Sequence, residues 1–344
     1  MICVQPESFA KARISAMKSK IPISQPKTKH KQIVLMSLGI AVLAIILAFL
    51  TANVIDESER HITKLKEIHV SGVQESTGQK ESDSDIAARE AIEKHLQDTS
   101  MSLSGFDLTD KGLSSISKMK RLQRLDLSYT RVSSNALQYL TQLPLNDLNL
   151  SETSVGDDGM EYLAKIPTLT NLILAQTEVG DRGLLMLKPL SLADLALTTT
   201  KVTDQGITHL EGQRKMWKLC LGDTQVTDEC LPSIAKIESL SWLELGETAV
   251  TIDGLKALRD HKNLASLLLP NCNLSDSDVQ QLVDMLPKLD KIDLSGNKIT
   301  DKSLTHLAKV KTLRKLWILR CPQLSEEAID AFRKAVPQCF VLRQ

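Results

Sequence analysis

Residues 192–231 read LADLALTTTKVTDQGITHLEGQRKMWKLCLGDTQVTDECL and contain one phrase twice. Leu192, Leu195 and Leu197 stand in the spacing L-x-x-L-x-L, and Met216, Leu219 and Leu221 repeat it. T-x-V-T-D follows each triplet, in Thr200 to Asp204 and in Thr224 to Asp228. The phrase continues in both directions. Upstream lie Leu122/Leu125/Leu127, Leu145/Leu148/Leu150 and Leu169/Leu172/Leu174. Downstream lie Leu240/Leu243/Leu245, Leu264/Leu267/Leu269, Leu289/Ile292/Leu294 and Leu313/Leu316/Ile318. That makes nine units returning every 23 to 25 residues. A fixed period in the twenties predicts an array of stacked units. No unit alone can bury its apolar face, so the core exists only between neighbours.

The two closely spaced leucines of each unit lie two apart, so both enter the core of a strand while their neighbours face away. Stacking then makes a parallel sheet. Thr130, Thr153, Thr177, Thr200, Thr224 and Thr248 hold one position in six successive units, followed there by Cys272, Asn297 and Cys321. A hydroxyl at that position can satisfy backbone groups where the chain turns off the sheet. Thr203, Thr227 and Ser275 are expected N-caps, with Asp204, Asp228 and Asp276 in the first helical turn. Leucines three apart, such as Leu184/Leu187 and Leu304/Leu307, suit the inner face of a short helix. Gly159, Gly183, Gly206 and Gly254 are expected to permit close packing. At the N-terminal end, Ser84 or Asp85 is expected to cap a helix running to Gln97. MSLSGFDLTDKGLSSI, from Met101, reads as a shortened repeat. At the other end, Ser325 opens a final helix, and Phe332, Val336, Phe340 and Val341 are expected to close the core.

These residues resemble leucine-rich repeats of about 24 residues over positions 103–342. The TxVTDxGL half is similar to a variant found in bacterial, planctomycete-type proteins and to the helical repeats of ribonuclease inhibitor. The resemblance implies an α/β fold: a right-handed solenoid, or horseshoe, with a concave parallel sheet and convex helices. It also implies binding of proteins or other ligands on the concave face, with no shared chemistry. No F-box-like segment precedes the repeats, so an adaptor role in ubiquitin ligation finds no support.

The rest of the 344-residue chain is read from charge and hydropathy. Only 3% of residues are aromatic, so the core must be aliphatic. Residues 1–32 carry seven Lys/Arg against Glu7 alone, although the formal net charge of the chain is zero. The remainder is therefore acidic, which with few aromatics speaks against nucleic-acid binding. Ile33 to Ala52 are twenty positions without a charge. Roughly 20 apolar residues suffice to span a bilayer. Four regions are expected: a basic cytoplasmic tail (1–32), a transmembrane helix (33–54), a flexible linker (55–84) and the repeat domain with its caps (85–344). The positive flank places the N-terminus inside and the repeats outside, in the periplasm of a bacterium.

Signals of catalysis are absent: the sequence holds no GxxxxGK[ST], GxSxG, HExxH or kinase set. The histidines are scattered, and the D-x-D pairs at Asp83/Asp85 and Asp276/Asp278 lack the further ligands of a calcium loop. No cofactor or metal is expected, and the chain reads as a non-enzyme. Among the cysteines, only Cys321 and Cys339 are candidates for a disulfide. The concave face is expected to carry the function, with Trp242, Glu244, Leu268, Lys291, Asp293, Lys315 and Trp317 as the binding residues for a protein partner. Exposed tryptophan amid charge has the composition of an interface hot spot. A scaffold of envelope proteins without a discrete ligand is the alternative, and an enzyme with an unrecognised site a further one.

Overall fold

The structure, a computed structural model, describes residues 82–343. The expected tail 1–32, the apolar span 33–54 and residues 55–81 lie outside the described residues. No described helix is long and apolar enough to cross a membrane.

The repeats form one parallel sheet of eleven strands in simple sequence order. The strands are β1 (Ser100–Ser102), β2 (Arg124–Asp126), β3 (Asp147–Asn149), β4 (Asn171–Ile173), β5 (Asp194–Ala196) and β6 (Lys218–Cys220). They continue as β7 (Trp242–Glu244), β8 (Ser266–Leu268), β9 (Lys291–Asp293), β10 (Lys315–Trp317) and β11 (Phe340–Leu342). Two of these lie beyond the nine repeats legible in sequence. β1 belongs to the apparently shortened unit: Met101 and Leu103 supply the paired core positions, but Asp98 stands where later units begin with leucine. β11 follows the final helix, Glu326–Ala335, and pairs with β10.

Alternation within each strand builds the core. The middle residues of β2 to β10, from Leu125 to Leu316, are at most 3% exposed, and the flanking residues occupy the opposite face. Short helical segments line the other side of this column. Several are a single turn of α-helix running into 3-10 helix, such as Asp204–Ile207 followed by Thr208–Leu210. The first helix is Asp83–Lys94, capped by Ser82 rather than by Ser84 or Asp85. Its Ala88 and Ile92 close one end of the core. Phe332 and Val336 close the other, but Phe340 is 63% exposed. It is the register partner of Lys315, so it occupies the face of the sheet away from the core.

Three interactions recur along the stack. The first is the threonine ladder. Each hydroxyl of Thr130, Thr153, Thr177, Thr200, Thr224 and Thr248 donates to the carbonyl three residues earlier, at 2.6–2.7 Å. Cys272 and Cys321 direct their thiols to carbonyls of the preceding unit, and Asn297 donates to the Leu269 carbonyl there and to those of Leu294 and Ser295 in its own unit. The second is a left-handed residue just before the ladder: Tyr129, Glu152, Gln176, Thr199, Asp223, Glu247, Asn271 and Arg320, with Gly105 and Gly296 at the corresponding places. The turn aims the N–H of Glu152 at Ala175 and that of Asp223 at Gly246, each in the next unit.

The third was not anticipated. The aspartate of V-T-D does more than complement its own helix dipole. Asp181 accepts from the backbone N–H and hydroxyl of Thr203 in the next unit, Asp204 does the same to Thr227, and Asp228 to Thr251. Asp85 begins this ladder at Thr109 and Asp301 ends it at Ser325. The glycine explains itself here. A Cβ on Gly206 would lie 2.3 Å from the Asp181 carboxylate, and one on Gly254 2.2 Å from that of Asp228. Ser134, whose hydroxyl accepts from the Gly156 N–H, and Ile252 interrupt the series. The next cap, Ser275, is served instead by its own Asp278 in a capping box.

Two expectations follow. Leu243 is fully buried, so Leu243→Ala should cost about 2–5 kcal/mol in chemical denaturation, through lost transfer energy and a residual cavity. Asp204→Ala strands the Thr227 N–H and should cost about 1–3 kcal/mol. Asp253, which is paired only with exposed Lys256 across one helical turn, should leave the midpoint unchanged when replaced by alanine. Equal effects of the two aspartate variants would show that the ladder adds nothing beyond ordinary capping.

Candidate functional site

The first and third residues of each strand form two rows across the sheet face. On β2 to β5 these rows are mostly polar (Arg124, Asp126, Asp147, Asn149, Asn171 and Asp194), with Ile173 and Ala196 the apolar exceptions. Most of these groups are already committed. The side-chain oxygens of Asp126 and Asn149 accept from the N–H and hydroxyl of Ser128 and Ser151, which starts the turn off the sheet. Asn171 donates to Asp147, and the Lys218 ammonium lies 3.0 Å from Asp194. Burial holds the Asp194 carboxyl above the usual aspartate range, with Lys218 opposing the shift.

The rows change character on β7 to β10. Trp242 and Trp317 are half-buried. Lys291 reaches back across Ser266, two strands, to place its ammonium 5.0 Å from the centroid of the Trp242 ring. Lys315 lies over Trp317 of its own strand at 4.5 Å. Both are cation–π contacts. The indole Nε1 of Trp242 is buried and has no hydrogen-bond partner. Asp293 accepts from the Ser295 N–H at 2.8 Å, and burial raises its carboxyl above the usual range.

Comparison with known proteins agrees with this geometry. A family model described as Leucine Rich repeat matches residues 143–164 and 286–308. The chain carries leucine-rich repeats. Among solved structures it is similar to an internalin, inlF, from Listeria monocytogenes, at 19% identity and a TM-score of 0.50. The match covers 76% of this chain and 88% of the internalin. At that identity the likeness shows the fold. The search of curated proteins found no match.

In these repeats, the seven residues singled out in sequence all stand on adjoining strands, but two were misjudged in exposure. Glu244 is 8% exposed. Its two oxygens accept from the N–H groups of Gly222 and Gly246, at 3.1 and 3.2 Å. A Cβ on Gly222 would sit 2.2 Å from that carboxylate, so glycine leaves the space it fills. Burial, the largest cause, holds the Glu244 carboxyl above its ordinary value of 4.5 despite these donors. Leu268 is also 8% exposed, and Cys220 is fully buried although it shares their row. Alternation assigns a residue to a face. Whether solvent reaches it depends on how large its neighbours are.

Trp217 was missed. It precedes β6, is 45% exposed, and its carbonyl accepts from the N–H groups of Ser241 and Trp242. Its place outside the strand rows hid it, although only three tryptophans occur in the chain. The described cysteines are free, including Cys321 and Cys339. Burial pushes the Cys230 thiol up to about 12 and those of Cys272 and Cys339 up to about 11, far from thiolate chemistry at neutral pH. Among the described residues no three His, Cys, Asp or Glu groups are placed to hold a metal.

Glu244→Ala should therefore cost about 1–3 kcal/mol in denaturation, because it leaves the two glycine N–H groups unpaired. The raised carboxyl also carries a pH signature. A group whose value is raised on folding binds its proton more tightly in the folded chain, so its stabilisation is present below its ordinary 4.5 and is lost as pH rises through the folded value. The Tm of Glu244→Gln should accordingly vary less with pH above 4.5 than that of the parent. Superimposable pH profiles would remove Glu244 from the account.

Proposed function

We propose that the repeat domain binds a protein partner, without catalysis, through the sheet face on β7 to β10. The observation that carries this reading is the concentration there of Trp242 and Trp317, each with a lysine ammonium on its ring. Large aromatic side chains dominate the energetics of many interfaces. The two tryptophans stand three strands apart, roughly 14 Å along the stack, which fits within one epitope. Glu244 and Leu268 are buried on the same face; Lys291, Asp293 and Lys315 stand on the strands beside them. The test is crosslinking capture from intact membranes with the parent chain and its variants. Trp242→Ala should weaken capture by about 2 kcal/mol or more, and Asp147→Ala should do little. Because the Trp242 ring is half-buried, circular dichroism at the assay temperature must confirm that the variant is folded. Capture that falls with Asp147 but ignores Trp242 would move the site to the other half of the face.

The domain is proposed to be tethered to the cytoplasmic membrane by residues 33–54, with the N-terminus inside and the repeats outside. The charge-free run Ile33 to Ala52 and its basic flank support this reading. Protease added outside intact spheroplasts should digest the repeat domain or the segment preceding it. Digestion confined to inverted vesicles would reverse the orientation.

A further inference from the structure

Lys291 and Lys315 are register partners on neighbouring parallel strands, so two like charges sit side by side on one face. Such a pair is locally unfavourable. Among the described residues neither ammonium has a carboxylate within ion-pair distance; each rests on an indole ring instead. Lys218, in the same row, differs: Asp194 lies 3.0 Å away. Two acids in the neighbouring rows are held by backbone amides. Glu244 is held by the amides of Gly222 and Gly246, and Asp293 by that of Ser295. Arg320 adds a further cation beside Asp293. Beyond them Phe340, the register partner of Lys315, is 63% exposed. The β7–β11 end of the face thus offers uncompensated cations between apolar rings, and one buried indole N–H without an acceptor.

We infer that the partner presents an acidic extended segment, with carboxylates for Lys291 and Lys315 and apolar side chains for Trp242, Trp317 and Phe340. This rests on the reading of the sheet face as the binding surface. From β7 to β11 is four strand spacings, roughly 19 Å, which about six residues of extended chain can cross. Side chains two apart in such a segment project about 6.6 Å from one another, wider than the roughly 4.8 Å between the strands by an amount the long lysine side chains can span. Binding would exchange each cation–π contact for an ion pair, relieve the repulsion between the lysines, and leave the rings for apolar contact.

The experiment uses the full-length protein, in detergent, against an array of Asp/Glu-rich peptides carrying Leu or Phe at varied spacings. Each has a counterpart with Asn and Gln in place of Asp and Glu. At least one acidic peptide should bind about tenfold more tightly than its amide counterpart, and the preference should shrink with added salt. K291Q/K315Q, which relieves like-charge repulsion and so should not lower the thermal midpoint, should abolish that preference. Three results would overturn the inference: no acidic peptide binds, acidic and amide peptides bind alike, or the preference survives in K291Q/K315Q. The broader reading fails separately. Amide-peptide binding that is lost in Trp242→Ala keeps the sheet face and discards the acidic partner, whereas peptide binding indifferent to both Trp242 and the lysines discards both. Equal retention of polyuridylate through the same lysines would replace the acidic protein segment by a general polyanion.

Discussion

A strand of three residues is too short to persist alone. It forms few hydrogen bonds, and its single inward side chain cannot assemble a core. Each strand between β1 and β11 survives because both neighbours complete it, through backbone pairing on either side and a leucine column continuous from unit to unit. Every other regularity serves that stacking. The left-handed turn residue aims its N–H into the next unit, and the threonine hydroxyl closes on the strand carbonyl that the turn leaves behind. The two act at one corner of the unit. The aspartate ladder ties the opposite corner, where the helical segments begin. The stack is therefore joined by directional bonds at both corners and by apolar contact between them.

This arrangement explains which positions vary. A core leucine, a ladder threonine and a ladder aspartate each answer to a neighbour, and a substitution needs a replacement with the same reach. Asn297 meets the need of the threonine position with more hydrogen bonds, and Cys272 and Cys321 meet it with weaker ones. Ile252 breaks the aspartate series only where Asp278 supplies a local cap. The outer rows of the sheet answer to fewer neighbours. On β2 to β5 their polar groups largely satisfy one another or the backbone. On β7 to β10 the lysines and tryptophans satisfy one another only through cation–π contacts, which are weak enough for a ligand to replace.

The period, the strand, the threonine position and the helical caps were legible in the sequence because they are local and recur from unit to unit. A hydrophobic spacing of two followed by capping residues admits few structures, and repetition removes most of the remaining ambiguity. The sequence also placed Trp242, Lys291, Lys315 and Trp317 on one face, since alternation in a short strand is fixed by backbone geometry. β1 was blurred where Asp98 replaces the leading leucine, and β11 because it follows the last repeat.

Tertiary structure alone decided what crosses from one unit to the next. The partner of Asp204 is Thr227, a full period away, and only stacking brings them within a hydrogen bond. Glu244 looks exposed by alternation, yet Gly222 leaves the space its carboxylate fills, and the N–H groups of Gly222 and Gly246 hold it there. Lys291 meets Trp242 because Ser266, on the strand between them, is too small to intervene. In each case facing follows from the backbone of one unit, whereas burial and pairing depend on side-chain sizes in the units beside it. The sequence by itself determined the repeating architecture and the face each residue takes; the packing between units determined which of those residues remain available to a partner.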